Sequence, residues 1–158
     1  MAARYKRLNG SAKGSVAVEM ALILPLFLVL LAGPLYIARA AWCYSVGQKA
    51  AHDATRYIAT ATQAELRTGG GGFNEARVPA IARWIAQQEL GEIVQFTDSI
   101  VITIQCDGDG CGLLAPAKVR TGVQIGLHDH VLGDLTMDYL GSAGMTISSE
   151  VTMRYVDQ

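Results

Sequence analysis

A chain of 158 residues and 16.8 kDa has room for one small domain and an anchor, and no more. Its net charge of −1 conceals a division: Arg4, Lys6, Arg7 and Lys13 give the first fourteen residues a balance of +4, whereas from residue 45 onward eight Lys/Arg face thirteen Asp/Glu. An acidic body argues against nucleic acid as a partner, which would call for a clustered basic face.

After the basic head, residues 20–38 (MALILPLFLVLLAGPLYIA) carry no charge and lie between Glu19 and Arg39. About 20 apolar residues cross a bilayer as a helix, and in hydrocarbon only a helix satisfies its own backbone. Pro25 and Pro34 each remove a donor and crowd the carbonyl four residues back, at Ala21 and Leu30, where kinks are expected. The basic flank predicts a cytoplasmic N-terminus and a domain on the other side. A buried core helix is the bland alternative, but a domain this small rarely buries a helix that is apolar all round. A secretory signal is the sharper one, because Ala38-Arg39-Ala40 fits a small-x-small cleavage pattern. Against it, the apolar run exceeds the roughly 7–15 residues of a usual signal core, and Arg39 stands inside the proposed site.

The junction Lys13-Gly14-Ser15-Val16-Ala17-Val18-Glu19 needs an explanation of its own. A carboxylate at a bilayer centre costs about 2.5–3.5 kcal/mol, less near the interface. Cleavage after Gly14 would make Ser15 the N-terminus, and its amine and Glu19 would be i, i+4 neighbours on one helix face. The amine could equally come from an adjacent subunit. The acid also opposes the positive end of the helix dipole, and glycine suits an extended backbone open to a protease. An interfacial glutamate beside an ordinary signal anchor remains the alternative.

Gly14-Ser15-Val16-Ala17-Val18-Glu19-Met20-Ala21-Leu22, with Pro25 following, resembles the class III signal of type IV pilins. Within that class it resembles the TadE-like pseudopilins (minor pilins) of tight-adherence pilus systems. The likeness is specific over residues 13–35, and Met20 departs from it where an aromatic is common. The closing Val151-Thr152-Met153-Arg154-Tyr155 also looks like the last strand of such proteins. The resemblance implies cleavage at Gly14–Ser15 by prepilin peptidase and a part in assembling a thin pilus. Other pilin and minor pilin subunits, with the inner-membrane assembly platform, would be its partners. The expected localisation is the inner membrane, with the head in the periplasm or carried into an extracellular pilus.

Helical spacing continues beyond the membrane segment through Val46, Ala50, Ala54, Tyr57, Ile58 and Ala61, predicting one helix from about residue 15 to about residue 66. Gly69 to Gly72 ends it. A second helix over 77–90 has Pro79 in its first turn and Gly91 as its stop, with Ile81, Trp84, Ile85 and Gln88 as its inward stripe. Period-two runs follow at Ile100, Ile102 and Ile104, at Val119 through Leu127, and at Met145 through Tyr155. Residues 130–140 stay ambiguous between a turn and a short helix. The predicted class is α+β and pilin-like: a long N-terminal helix, a second helix and a three- to four-stranded antiparallel sheet. The expected divisions are a leader at 1–14, a membrane helix at 15–41, an amphipathic stalk at 42–68 and a periplasmic head at 73–158.

Cys106-Asp107-Gly108-Asp109-Gly110-Cys111 falls between two strands, so an Asp/Gly turn brings both thiols together for a disulfide in an oxidising compartment. Asp107 and Asp109 echo the opening of a calcium loop without its later ligands, and Cys-x4-Cys beside His128-Asp129-His130 is not a usual zinc spacing. No metal or cofactor is expected. Cys43 reads as a partly buried free thiol, with an intersubunit disulfide as the alternative. His52, His128 and His130 flank no nucleophile, and no catalytic motif appears, so no enzyme is expected. Two functions remain: a minor pilin whose helix joins a bundle, or a signal-anchored or secreted periplasmic domain binding a metal or ligand.

Overall fold

The computed structural model describes residues 12–67, 76–111, 115–128 and 144–156. Three helices, α1 (Ala12–Ala59), α2 (Gln63–Arg67) and α3 (Arg77–Leu90), precede a 3₁₀ turn at Val94–Phe96 and three strands, β1 (Ser99–Cys106), β2 (Lys118–His128) and β3 (Gly144–Arg154). The class is α+β. The glycine run, the leader up to residue 11 and the ambiguous segment 130–140 lie outside the described residues. The chain forms two compact units, one ending at Ile37 and the other beginning at Ala38.

In the first unit α1 continues through Pro25 and Pro34 without interruption. Its large apolar side chains are open to the surroundings, Leu22 for instance by 76%. Water would penalise such a surface heavily, whereas hydrocarbon would not.

The second unit is built on a sheet of order β1-β2-β3, antiparallel throughout, with Ile102 opposite Val123 and Val123 opposite Ser149. Alternation decides its faces. Val119, Thr121, Val123, Ile125 and Leu127 of β2 all point into the core, while Arg120 and Gln124 are exposed. The core is completed by Cys43, Ala50, Ala51, Ala54 and Ile58 of α1 together with Val78, Ala82, Ala86 and Leu90 of α3. Helix and sheet approach closely at Gly47, where a Cβ would stand 2.9 Å from Ile125 Cδ1 and 3.1 Å from Ser149 Oγ.

Three details depart from the sequence expectations. First, α1 stops at Ala59 instead of running to about residue 66. Thr60 N–H still bonds to the Arg56 carbonyl at 3.1 Å, and β3's exit takes over the freed carbonyls. Val156 N–H donates to Ala59 O at 3.1 Å, and Tyr155 Oη–H donates to Ala61 O at 2.7 Å. A new helix then starts from Thr62, whose backbone N–H donates to Glu65 Oε2 at 2.9 Å while Glu65 N–H reaches Thr62 Oγ1 at 3.4 Å. This reciprocal pair is a capping box.

Second, the buried stripe of α3 is Val78, Pro79, Ala82, Ala86 and Leu90. Trp84 is exposed by 59%, Gln88 is exposed, and Ile81 and Ile85 are only half-buried. The helix turns its alanines inward because a neighbouring backbone can lie close to them. Third, Gly91 ends α3 in right-handed geometry, its N–H bonding to Gln88 O, so no left-handed cap is made there.

Candidate functional site

Gly14 and Ser15 lie in the first turn of α1, which already begins at Ala12. With the leader attached, the bond between them is therefore helical rather than extended. The opening turn of any helix has unpaired N–H groups and frays readily, and glycine adds to that tendency. Glu19 lies four residues after Ser15 in the same helix, with its side chain exposed. Among the described residues one helix is long and apolar enough to cross a membrane, and it is this one.

At residues 39–44 the surroundings change from uncharged to mixed. Arg39 donates through Nη2 to the carbonyl of Phe96 and lies 5.5 Å from the centroid of that ring. Trp42 meets the same ring edge-on, centroid to centroid at 5.7 Å. Cys43 on the next position is fully buried, and burial pushes its thiol pKa up, opposed more weakly by the Arg39 charge. An intersubunit disulfide through Cys43 would require the head to open. The sequence held a signal for this aromatic group, since Trp42 and Tyr44 immediately follow the uncharged run, where interfacial aromatics gather. Phe96 could not be placed there from the sequence, being 57 residues beyond Arg39.

At the far end of β1, Asp107 and Gly108 both take positive φ, 53° and 100°. Cys106 N–H bonds to Asp109 O at 2.8 Å, and Asp109 N–H bonds to Cys106 O at 3.1 Å. This is a type I′ hairpin turn, which requires two left-handed residues and favours Asp-Gly. The structure joins Cys106 to Cys111, their Cα atoms 4.8 Å apart. The Asp107 carboxylate accepts from the backbone N–H groups of Ala117 at 2.9 Å and Lys118 at 2.8 Å. It is thus engaged in holding the loop against the start of β2.

Among the described residues no three His, Cys, Asp or Glu side chains gather as a metal would need. Asp129 and His130 lie outside those residues, as does the side chain of His128. A cavity of about 170 Å³ is lined by Tyr57, Glu65, Arg77, Val78 and Ile81. Its carboxylate is already engaged by Thr62.

No curated protein and no solved structure matches the chain. Residues 14–56, a stretch that takes in Glu19, the whole uncharged run and most of α1, match the family model of TadE-like proteins, a family of the tight-adherence pilus system.

Proposed function

We propose that this chain is a minor pilin, or pseudopilin, of a tight-adherence pilus. In this reading prepilin peptidase removes residues 1–14, and the new amine at Ser15 is paired with Glu19 of its own helix or of a neighbouring subunit. The mature chain waits in the inner membrane with its head in the periplasm. It leaves by joining other pilin subunits at the assembly platform. The head needs no catalysis for this role. The Cys106–Cys111 disulfide would fix the exposed hairpin in the oxidising periplasm, closing a small loop worth about 2–3 kcal/mol at most.

The observation that carries the reading is the family match, which begins at Gly14 and includes Glu19. The continuity of α1 past Ala38-Arg39-Ala40 supports it over a cleaved secretory signal, because Ala40 already packs into the head's core. Intact mass and N-terminal sequencing of the protein from membranes test it. A chain beginning at Ser15, methylated or not, is expected. A chain beginning at Met1 or Ala41 would overturn the proposal.

A further inference from the structure

The head leaves an amphipathic group exposed at the point where the uncharged run ends. Trp42 is open by 42%, Phe96 by 37% and Val94, two residues before Phe96 in the 3₁₀ turn, by 56%. Large apolar side chains gathered and exposed in this way on a domain of modest size call for an occupant. Arg39 ties two elements of this group together, because it bonds to the Phe96 carbonyl and covers the Phe96 ring against which Trp42 packs.

Position selects the occupant. Arg39 is the first charged residue after residues 20–38. Trp42 follows Ala38 by four residues, about 6 Å along a helix rising about 1.5 Å per residue. A bilayer with a core of about 30 Å measures about 40–45 Å with its headgroups, which leaves about 5–8 Å of headgroup layer on each side. Trp42 therefore falls within that layer when Ala38 marks the end of the hydrocarbon. The ring contact, 5.7 Å between centroids, keeps Phe96 beside Trp42.

Phe96 is not free to leave it. Its N–H bonds to Ile93 O at 2.9 Å, and the Ile93 side chain is fully buried in the core. The chemistry also fits: aromatic rings with polar edges are enriched at membrane interfaces, and an arginine can place its stem on apolar surface with its charge toward phosphate.

We infer that Arg39, Trp42, Val94 and Phe96 form a collar seated in the headgroup layer of the bilayer, which makes the 3₁₀ turn a second membrane contact separate from the spanning helix. The inference rests on the reading of residues 20–38 as a membrane span.

Full-length chains with a single tryptophan, reconstituted in two sets of phosphatidylcholine vesicles, brominated near the top of the acyl chains in one and near their ends in the other, test this. Three are needed: Phe27→Trp for the span and Phe96→Trp for the collar, each with Trp42→Phe and Trp84→Phe, and Trp42→Phe alone, which leaves Trp84 on α3. Strong loss of emission is expected at 27 with bromines near the chain ends and at 96 with bromines near the top, with little loss at 84 in either set and a blue-shifted spectrum at 96. Quenching at 27 without quenching at 96 would overturn the collar and leave the span intact. Absence of quenching at 27 would overturn both. Equal quenching at 84 and 96 would mean that the head lies on lipid without a collar. A blue-shifted but unquenched tryptophan at 96 would mean that protein, such as a second copy of the chain, covers the surface. Either of these last results also overturns the proposal.

Discussion

Glu19 and Cys43 lie on the same helix and show how context gives a side chain its work. Glu19 is exposed and stands one residue before the uncharged run. Replacing it removes a charge without opening a cavity, and alanine is the better helix former. Glu19→Ala is therefore expected to insert and fold normally yet to lower pilus yield several-fold, as counted by sheared-pilus immunoblot. An unchanged yield would remove the pairing role assigned to it. Cys43, in contrast, is sealed within the head. Its pKa is raised mainly by desolvation, so the stability tied to the neutral thiol is full below the ordinary thiol range. That stability falls as pH rises through the folded pKa. Thr121 occupies a less favourable position: its hydroxyl is buried on the inner face of β2 with no partner among the described residues, a cost the surrounding Val119, Val123 and Ile125 evidently outweigh.

Among the secondary elements, those with a strong period were plain in the sequence. Each inward residue of β2 could be named from alternation, because a strand shows one face every second residue and the core behind it is apolar. The bounds of α3 were equally legible from Pro79 and the glycine at 91. Its inward face was not, because size suggested Trp84 and Ile85 where close packing chose Ala82 and Ala86. The end of α1 was missed for a different reason. Ala61 and Leu66 keep the helical spacing, so periodicity ran across the break, although Thr62-Gln63-Ala64-Glu65 spells a capping box in plain view.

That box can be tested. Thr62→Ala should cost about 1 kcal/mol, measured by thermal unfolding at neutral pH. The Thr62 backbone N–H, then its hydroxyl, hold the Glu65 carboxyl below its usual pKa. A lowered carboxyl pKa contributes stability that is present above the unfolded pKa and is lost as pH falls through the folded one. The gap between wild type and Thr62→Ala should therefore narrow as pH falls below the carboxylate range. A gap independent of pH would exclude the reciprocal cap.

For the molecule as a whole, the division after Ile37 separates two kinds of solvent requirement. Every member of the core cluster lies between Ala40 and Tyr155, and none is supplied by the apolar run. A fragment beginning at Ala38 is therefore expected to remain folded in water, with a cooperative thermal transition by circular dichroism. Its exposed Trp42 and Phe96 would favour self-association at high concentration. A fragment without a cooperative transition would show that the head depends on its span. The family match reaches only to residue 56, so the sheet and α3 lie beyond it and rest on the chain's own physics. What the sequence could not disclose was which loop meets residues 39–42, because contacts 57 residues apart follow from packing and not from any local pattern.

The head-side part of α1 is fastened at both ends, by Arg39 to Phe96 at one, and at the other by Val156 to the carbonyl of Ala59 and by Tyr155 to that of Ala61 just beyond the helix. A tensile load drawn along this helix would thus enter the domain at two separated anchorages instead of peeling the helix from one end. Resistance to such a load is governed by the rate of unfolding and not by equilibrium stability. Loosening either fastening would then shorten the time the domain survives under tension by more than its melting temperature would suggest.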